Sequence, residues 1–88
     1  MLYVTMYSWK PENRKAIVAR FVETGGQPPA GVKLLGRWTA TGGGRGFTVT
    51  ESDDPVAVSK FAYQWNDLME FVTIPVINDE QLAKVLAG

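Results

Sequence analysis

The sequence predicts an α+β domain of ferredoxin-like topology, in which a four-stranded antiparallel sheet carries helices on one face. Two observations lead to this prediction. Four short segments alternate apolar and polar residues with the period of two that is typical of β-strands. Two segments between them, and a third at the C-terminus, carry apolar residues at helical spacing. The order β-α-β-β-α-β plus a short C-terminal helix forms one sheet through right-handed crossovers and a central hairpin.

The first strand is predicted from Leu2 to Ser8. Its alternation places Leu2, Val4 and Met6 on one face and Tyr3, Thr5 and Tyr7 on the other. A helix then begins at Pro11, because proline lacks the N–H that would find no partner in a first helical turn. Its apolar stripe consists of Ile17, Val18, Phe21 and Val22. The pair Gly25-Gly26 ends it.

The second and third strands are predicted as a hairpin, Val32 to Ala40 and Gly46 to Ser52, joined by the three glycines at 42–44. Alternation in the second strand places Leu34, Gly36 and Trp38 on one face and Leu35, Arg37 and Thr39 on the other. The third strand carries Phe47, Val49 and Glu51 on one side and Thr48, Thr50 and Ser52 on the other.

The second helix begins at Asp54-Pro55, a capping aspartate followed by proline at the first helical position. Its core stripe consists of Val58, Phe61, Ala62, Trp65 and Leu68. A last strand, Met69 to Ile77, contains Pro75, which cannot donate a ladder hydrogen bond and therefore predicts an edge strand. Asn78 and Gln81 resemble a capping box for a final short helix, whose apolar side is Leu82, Val85 and Leu86.

The 88 residues suffice for one domain, 1–88, and the formal net charge is zero, which predicts neither a nucleic-acid nor an anionic-membrane partner. The chain has no cysteine and no histidine, which excludes a disulfide and a metal site built on those residues. A site of oxygen ligands alone stays possible, but no calcium-loop spacing is present. We expect no metal and no cofactor. The N-terminal segment alternates and lacks a preceding basic region, unlike a signal peptide. We therefore expect a soluble, cytoplasmic protein.

The two faces of the predicted sheet differ in chemistry. Aliphatic side chains suit packing against helices, so we expect the helices to cover the face of Leu2, Val4, Met6, Phe47, Val49, Val72 and Ile74. Trp38 and Trp65 are predicted to lie in this helix-side core. The opposite, open face would then hold aromatic rings and hydroxyls together with one arginine: Tyr3, Thr5, Tyr7, Arg37, Thr48, Thr50, Phe71 and Thr73.

Short motifs throughout the chain resemble a domain-of-unknown-function family of small ferredoxin-like proteins. They are Met1–Val4, Lys10-Pro11-Glu12-Asn13-Arg14, Gly36-Arg37-Trp38, Glu51-Ser52-Asp53-Asp54-Pro55, Trp65-Asn66-Asp67-Leu68 and Pro75-Val76. The family is similar to the dimeric α/β-barrel group, in which two ferredoxin-like sheets face each other. That group includes cofactor-independent monooxygenases, small isomerases and proteins with no known activity. The resemblance implies the fold and a homodimer, and it carries over no catalytic residue.

The leading functional hypothesis is a homodimer with a pocket or interface between the facing sheets, which binds a small molecule or serves as an assembly module. The eight open-face residues would line that pocket. Tyr3 and Tyr7 offer ring faces and hydroxyls, and Arg37 offers a bidentate anion clamp, so an aromatic acid would fit. The alternative for the same residues is a packed dimer interface, where aromatics and arginine are enriched.

Two other classes of function stay open. A small cofactor-independent monooxygenase or isomerase acting on an aromatic or enolic substrate would use Glu51 or Tyr7 to move protons and Arg37 to hold an oxyanion. An RNA-recognition-like module has the same topology, and Leu2-Tyr3-Val4 and Arg45-Gly46-Phe47 resemble parts of its motifs. That alternative requires Phe47 and Val49 on the open face.

Overall fold

A computed structural model describes residues 1–88, and it has the predicted ferredoxin-like order of elements. The four strands are β1 (Leu2–Ser8), β2 (Lys33–Thr39), β3 (Arg45–Glu51) and β4 (Glu70–Val76), and the helices are α1 (Arg14–Thr24), α2 (Pro55–Tyr63) and α3 (Asp79–Leu86). The sheet is antiparallel with the strand order β2-β3-β1-β4. β4 is therefore an edge strand, as Pro75 predicts.

The helix ends follow the predicted capping signals. Asp54 accepts a hydrogen bond from the backbone N–H of Val56 at 2.9 Å, and Asn78 and Gln81 form a complete capping box at the start of α3. Gly25 ends α1 in the left-handed conformation. One local difference occurs at Pro11, where a single 3₁₀ turn precedes α1.

The helices cover the face of the sheet that carries hydroxyls and aromatic rings, so the predicted assignment of the two faces was wrong. Thr5, Thr48 and Thr50 are buried beneath the helical layer together with Tyr3. The helices contribute Ile17, Ala57 and Val58 to the same layer, and the segment after α2 contributes Trp65. Threonine suits this position because its methyl group packs against the helices while its hydroxyl can bond within the sheet.

The aliphatic face of the sheet is the one that the helices leave uncovered. Five large apolar residues on it are between 42% and 56% exposed: Met6, Trp38, Phe47, Val72 and Ile74. The prediction that Trp38 lies in the helix-side core was therefore wrong, whereas Trp65 does lie there. Trp38 stacks instead on Phe47, with ring centroids 5.0 Å apart, on this uncovered face. From here on the open face means this aliphatic side of the sheet. The side that was predicted to be open is the one that the helices cover.

A β-bulge in β2 changes the predicted alternation. Leu34 pairs with Thr50 and Gly36 pairs with Val49, so Leu35 is the extra residue. Leu34 consequently shares the helix-side face with Arg37, and not the face of Trp38 as alternation predicted. After the bulge the alternation is regular, and Arg37 and Trp38 point to opposite sides of the sheet.

The C-terminal helix α3 adds nothing to the core. None of its residues is buried, and its apolar side, formed by Leu82, Val85 and Leu86, is exposed. The chain is elongated, with principal extents of 49 × 28 × 17 Å. No helix in the structure is both long enough and apolar enough to pass through a membrane.

Candidate ligand-binding site

A cavity of about 280 Å³ lies between the helical layer and the hydroxyl-bearing face of the sheet. Its walls come from α1, α2 and the segment that follows α2, and they are apolar. They consist of Ile17, Val18, Phe21, Val58, Phe61, Ala62, Trp65 and Met69. Its floor comes from the strands and consists of Thr5, Tyr7, Arg37, Thr39, Thr48, Thr50 and Phe71, with Trp9 and Gly26 at the periphery. An apolar chamber with a few polar groups on one side is typical of small-molecule sites.

The strand register brings the floor residues together in rows. Arg37, Thr48, Thr5 and Thr73 occupy neighbouring positions across the four strands. Thr39, Gly46, Tyr7 and Phe71 form the next row. Thr50 lies one row in the other direction, beside Tyr3. Because successive rows on one face are about 6.8 Å apart, the floor measures about 14 Å from Tyr7 to Thr50.

Arg37 is held at the side of the cavity by the end of α1. Its guanidinium donates a hydrogen bond to the carbonyl oxygen of Gly26 and lies 5.2 Å from the centroid of the Phe21 ring. Gly26 is buried and has a φ of +61°, and a Cβ there would lie 2.6 Å from the Arg37 side chain. Glycine is therefore required at this position for both conformation and space.

Tyr7 lies at the opposite end of the floor from Thr50, within a cluster of rings. Its ring stacks on Trp9 at 6.2 Å and tilts against Phe71 at 5.9 Å. Gly46, directly opposite on β3, leaves room for the hydroxyl, since a Cβ there would lie 2.8 Å from it. Burial raises the pKa of the Tyr7 phenol above its ordinary value of 10.0, and Arg37 and Thr39 offset part of that rise. The group is therefore a neutral phenol at neutral pH.

The threonine hydroxyls on the floor differ in whether they have partners. The hydroxyls of Thr5 and Thr73 are hydrogen-bonded to each other at 2.9 Å. Thr50 is only 2% exposed, and its hydroxyl has no hydrogen-bond partner within the protein. An unpartnered buried hydroxyl is unfavourable, and because its oxygen has almost no accessible surface, Thr50 lowers the stability of the fold and offers the cavity no polar group.

An ion pair outside the cavity connects α1 with the segment that follows α2. Arg20 on α1 donates two hydrogen bonds to Asp67, at 2.7 and 2.9 Å, and a third to the carbonyl oxygen of Gln64 at 2.8 Å. Its guanidinium also lies 5.6 Å from the centroid of the Trp65 ring. The interaction lowers the pKa of the Asp67 carboxyl below its ordinary value of 3.8 and raises the pKa of Arg20.

The chain matches a protein family over its whole length. The family is described as Domain of unknown function (DUF3303), and its model matches residues 1–88. The chain belongs to the DUF3303 family. A comparison with curated proteins finds no match. Among solved structures, that of Rv0793 from Mycobacterium tuberculosis is similar, with a TM-score of 0.53 and 12% sequence identity over 89% of this chain and 95% of that one. At this identity the likeness concerns the fold.

The residues predicted to bind a ligand do converge on one face of the DUF3303 sheet. Six of the eight line the cavity: Thr5, Tyr7, Arg37, Thr48, Thr50 and Phe71. Tyr3 and Thr73 share that face but not the cavity lining. The space that they enclose lies under the helices of one protomer, whereas the sequence predicted a pocket between two sheets. Glu51 lies elsewhere, in a shallow surface cleft with Lys33 and Asp53.

Sequence reasoning missed several cavity residues of the DUF3303 chain. Ile17, Val18, Phe21, Phe61 and Trp65 were predicted as core stripes, and they form the cavity walls because the helices stand away from the sheet there. Trp9 gave no sequence signal of its own. Gly26 was predicted only to help end the helix, and it is the structure that places its carbonyl beside Arg37.

The strand parity that the RNA-recognition alternative requires is present, contrary to our expectation. Phe47 and Val49 of the DUF3303 chain lie on the open face. The match remains partial, because Tyr3, the aromatic residue of the first-strand motif, points to the helix side and is buried. The open face of β1 consists of Leu2, Val4 and Met6, which offer no ring on which a base can stack.

Proposed function

We propose that this protein binds a small, largely apolar molecule in the cavity between its helices and its sheet. The observation that carries the proposal is the cavity of about 280 Å³, which combines apolar walls from the helices with a few polar groups on the sheet floor. Sites for small molecules typically have this composition. An apolar ligand that fills the chamber would remove its own surface and that of the walls from water.

The shape and lining of the cavity support a flat, ring-containing ligand. One side is a pleated sheet face, and the facing wall carries Phe61 and Trp65. Aromatic side chains favour stacked or edge-on contacts with rings and add to the free energy gained by apolar burial. The low polarity of the walls leaves selectivity to the few polar groups of the floor.

A cavity-filling variant tests the proposal. Ala62 lines the cavity from α2, so Ala62→Leu should occupy part of the space that the ligand needs. Ala19→Leu on the exposed side of α1 is the matched control. A panel of bicyclic aromatic compounds is titrated against both variants and the wild type, followed by tryptophan fluorescence. We expect binding to the wild type and to Ala19→Leu, with at least tenfold weaker binding to Ala62→Leu. Equal affinity in all three would place binding outside the cavity, and no binding to the wild type would overturn the proposal.

We further propose that a second copy of the chain covers the open face. Apolar patches of this kind on soluble proteins usually mark an interface. Both ends of the face carry one acidic and one basic residue, Arg45 with Glu70 and Lys33 with Glu51. Such a surface is complementary to itself, because a twofold arrangement can bring opposite charges together around an apolar centre. The homodimer would thus use the aliphatic face of the sheet and leave each cavity within one protomer.

A catalytic role for the cavity is the second candidate function. The specific observation in its favour is that Tyr7 and Arg37 both line the cavity. A phenol that stays protonated at neutral pH can donate a hydrogen bond to a developing charge, and a guanidinium stabilises an enolate or phenolate oxygen. The general base in such a reaction would not be Glu51, which lies outside the cavity. Turnover of an enolic substrate that falls at least tenfold in Tyr7→Phe would support catalysis over binding alone.

A further inference from the structure

We propose that the ligand of this cavity is a monoanion, a flat apolar molecule whose one negatively charged oxygen group binds Arg37. The inference rests on the proposed binding function and specifies the chemistry of the ligand. It follows from the charge balance of the cavity, from the unused donors of one guanidinium, and from the distance between Arg37 and the far end of the floor.

The charge balance of the cavity is one positive charge without a counterion. Among the seventeen lining residues Arg37 alone carries a formal charge at neutral pH. The two ion pairs of the structure involve other residues, namely Met1 with Asp53 and Arg20 with Asp67. No carboxylate of the chain therefore lies within 4.0 Å of the Arg37 guanidinium. A partly buried charge without a partner is unfavourable, and a bound anion would supply that partner.

The Arg37 guanidinium also has N–H groups that make no hydrogen bond within the protein. It carries five N–H groups in a planar fork that matches a carboxylate. Its one hydrogen bond in the protein goes from Nη2 to the carbonyl oxygen of Gly26. This contact and the Phe21 ring beneath the guanidinium fix the side chain beside the cavity and leave other N–H groups free to bind an anion. Tyr7 lies close enough to Arg37 for the two groups to interact electrostatically, and its phenol adds a second donor at that end.

The floor between Arg37 and Thr50 sets the length of the ligand. Arg37 lies opposite Thr48, and the backbone of Thr50 is two residues further along β3, so the stretch of floor beside Arg37 is about 7 Å long. That distance is about the length of a two-ring aromatic system. A bicyclic acid can therefore place its carboxylate at Arg37, its rings against Phe61 and Trp65, and its far edge near Thr50.

The test compares 2-naphthoate with its neutral isostere 2-naphthamide and with the cation 2-naphthylmethylammonium. Dissociation constants are measured by isothermal titration calorimetry for the wild type, for Arg37→Gln and for the control Arg14→Gln. Arg14 is exposed at the start of α1 and does not line the cavity, so its substitution changes the net charge equally without touching the cavity. A hydrogen-bonded ion pair predicts that the wild type and Arg14→Gln bind 2-naphthoate at least tenfold more tightly than 2-naphthamide, and that the cation does not bind.

Arg37→Gln should bind the acid and the amide with similar affinity, so the preference disappears while binding of the amide remains. Equal affinity of the wild type for the acid and the amide overturns the inference about charge and leaves the cavity as a binding site. An equal loss of the preference in Arg14→Gln overturns it as well, because long-range charge would then be the cause. Failure of all three probes to bind the wild type overturns the proposed binding function itself. The comparison of probes on the wild type holds even where a variant is unstable.

Discussion

Arg37 and Trp38 are neighbours in β2 and point to opposite sides of the sheet. Arg37 lines the cavity and donates to Gly26, whereas Trp38 is 51% exposed on the open face and stacks on Phe47. The bulge at Leu35 precedes both residues, so it sets which of them enters the cavity. The two sides of the sheet therefore differ in chemistry: one forms the polar floor of the cavity, and the other is an exposed apolar surface.

Thr50→Val should stabilise the protein in the absence of ligand. The substitution keeps the shape of the side chain and removes a buried hydroxyl that has no partner, so we expect the free energy of unfolding to rise by about 1 kcal/mol. Thr5→Val is the matched control, because its hydroxyl is bonded to that of Thr73 and its loss should lower the free energy of unfolding by about 1 kcal/mol. Urea denaturation measures both. A loss of stability in Thr50→Val would mean that its hydroxyl is satisfied in solution.

Gly26→Ala should both destabilise the protein and weaken ligand binding. Left-handed backbone costs an L-residue roughly 1–2 kcal/mol, and the new Cβ would displace Arg37 and Phe21. Gly43→Ala has a similar positive φ, but nothing lies within 4 Å of the added Cβ. We expect comparable backbone strain in both variants, measured by thermal unfolding, and a change in 2-naphthoate affinity in Gly26→Ala alone. The same affinity in both would mean that Gly26 does not position Arg37.

Met6→Glu should dissociate the proposed homodimer. Met6 lies at the centre of the open face on β1, and a carboxylate there would be buried without a partner in a dimer. Val22→Glu on the outer side of α1, which is 78% exposed, is the control. Sedimentation equilibrium should give a dimer for the wild type and Val22→Glu and a monomer for Met6→Glu. A monomeric wild type would contradict the dimer. Salt-sensitive binding of single-stranded RNA to the open face would assign that face to a different partner.

The Arg20–Asp67 ion pair should contribute stability that disappears in acid. The pKa of Asp67 is lowered in the folded protein, so its contribution is complete above the ordinary value of 3.8 and is lost as the pH falls through the lowered value. Asp67→Asn removes this dependence. The free energies of unfolding of the two proteins should differ at neutral pH and converge as the pH falls below 3.8 and through the lowered pKa. A constant difference across this range would show that the pair contributes no charge-dependent stability.

Tyr7 should have the opposite pH dependence. Its pKa is raised in the folded protein, so the stability that it contributes is present below the ordinary value of 10.0 and is lost as the pH rises through the raised value. Tyr7→Phe should therefore flatten the alkaline part of the stability profile. Arg37→Gln should raise the pKa of Tyr7 further, because a nearby positive charge is removed, and absorbance titration of the phenolates measures this shift. An unchanged titration in Arg37→Gln would place the two groups far apart.

Much of the fold follows from local signals in the sequence. The strands, the capping residues Asp54 and Asn78, the glycine hairpin and the edge position of β4 all depend on residues within a few positions of one another. The helix-covered face does not. Both faces of β1 are largely apolar or hydroxyl-bearing, and the aliphatic one suggested a helix-side core. That inference failed because threonines can be buried beneath helices, as Thr5, Thr48 and Thr50 are here.

The sequence predicts most of the residues of the candidate site, but it does not predict that the cavity lies between the helices and the sheet. Alternation groups Thr5, Tyr7, Thr48 and Thr50 on one face whichever face the helices cover. Three features of the site are long-range. They are the bulge that sets the side on which Arg37 lies, the contact of Arg37 with Gly26, and the separation between the helices and the sheet. They depend on how separate elements pack, which residue patterns in one sequence do not record.

The central claim is that the hydroxyl-bearing face of the sheet lies beneath the helices, and methyl nuclear Overhauser effects test it most directly. All six residues are buried between the helices and the sheet, so we expect at least one cross-peak from the methyl groups of Ile17, Ala57 or Val58 to those of Thr5, Thr48 or Thr50. Cross-peaks from the same helix methyls to Val4, Val49 and Val72, with none to the threonines, would contradict it. The cavity, the role of Arg37 and the proposed interface would then all fail together.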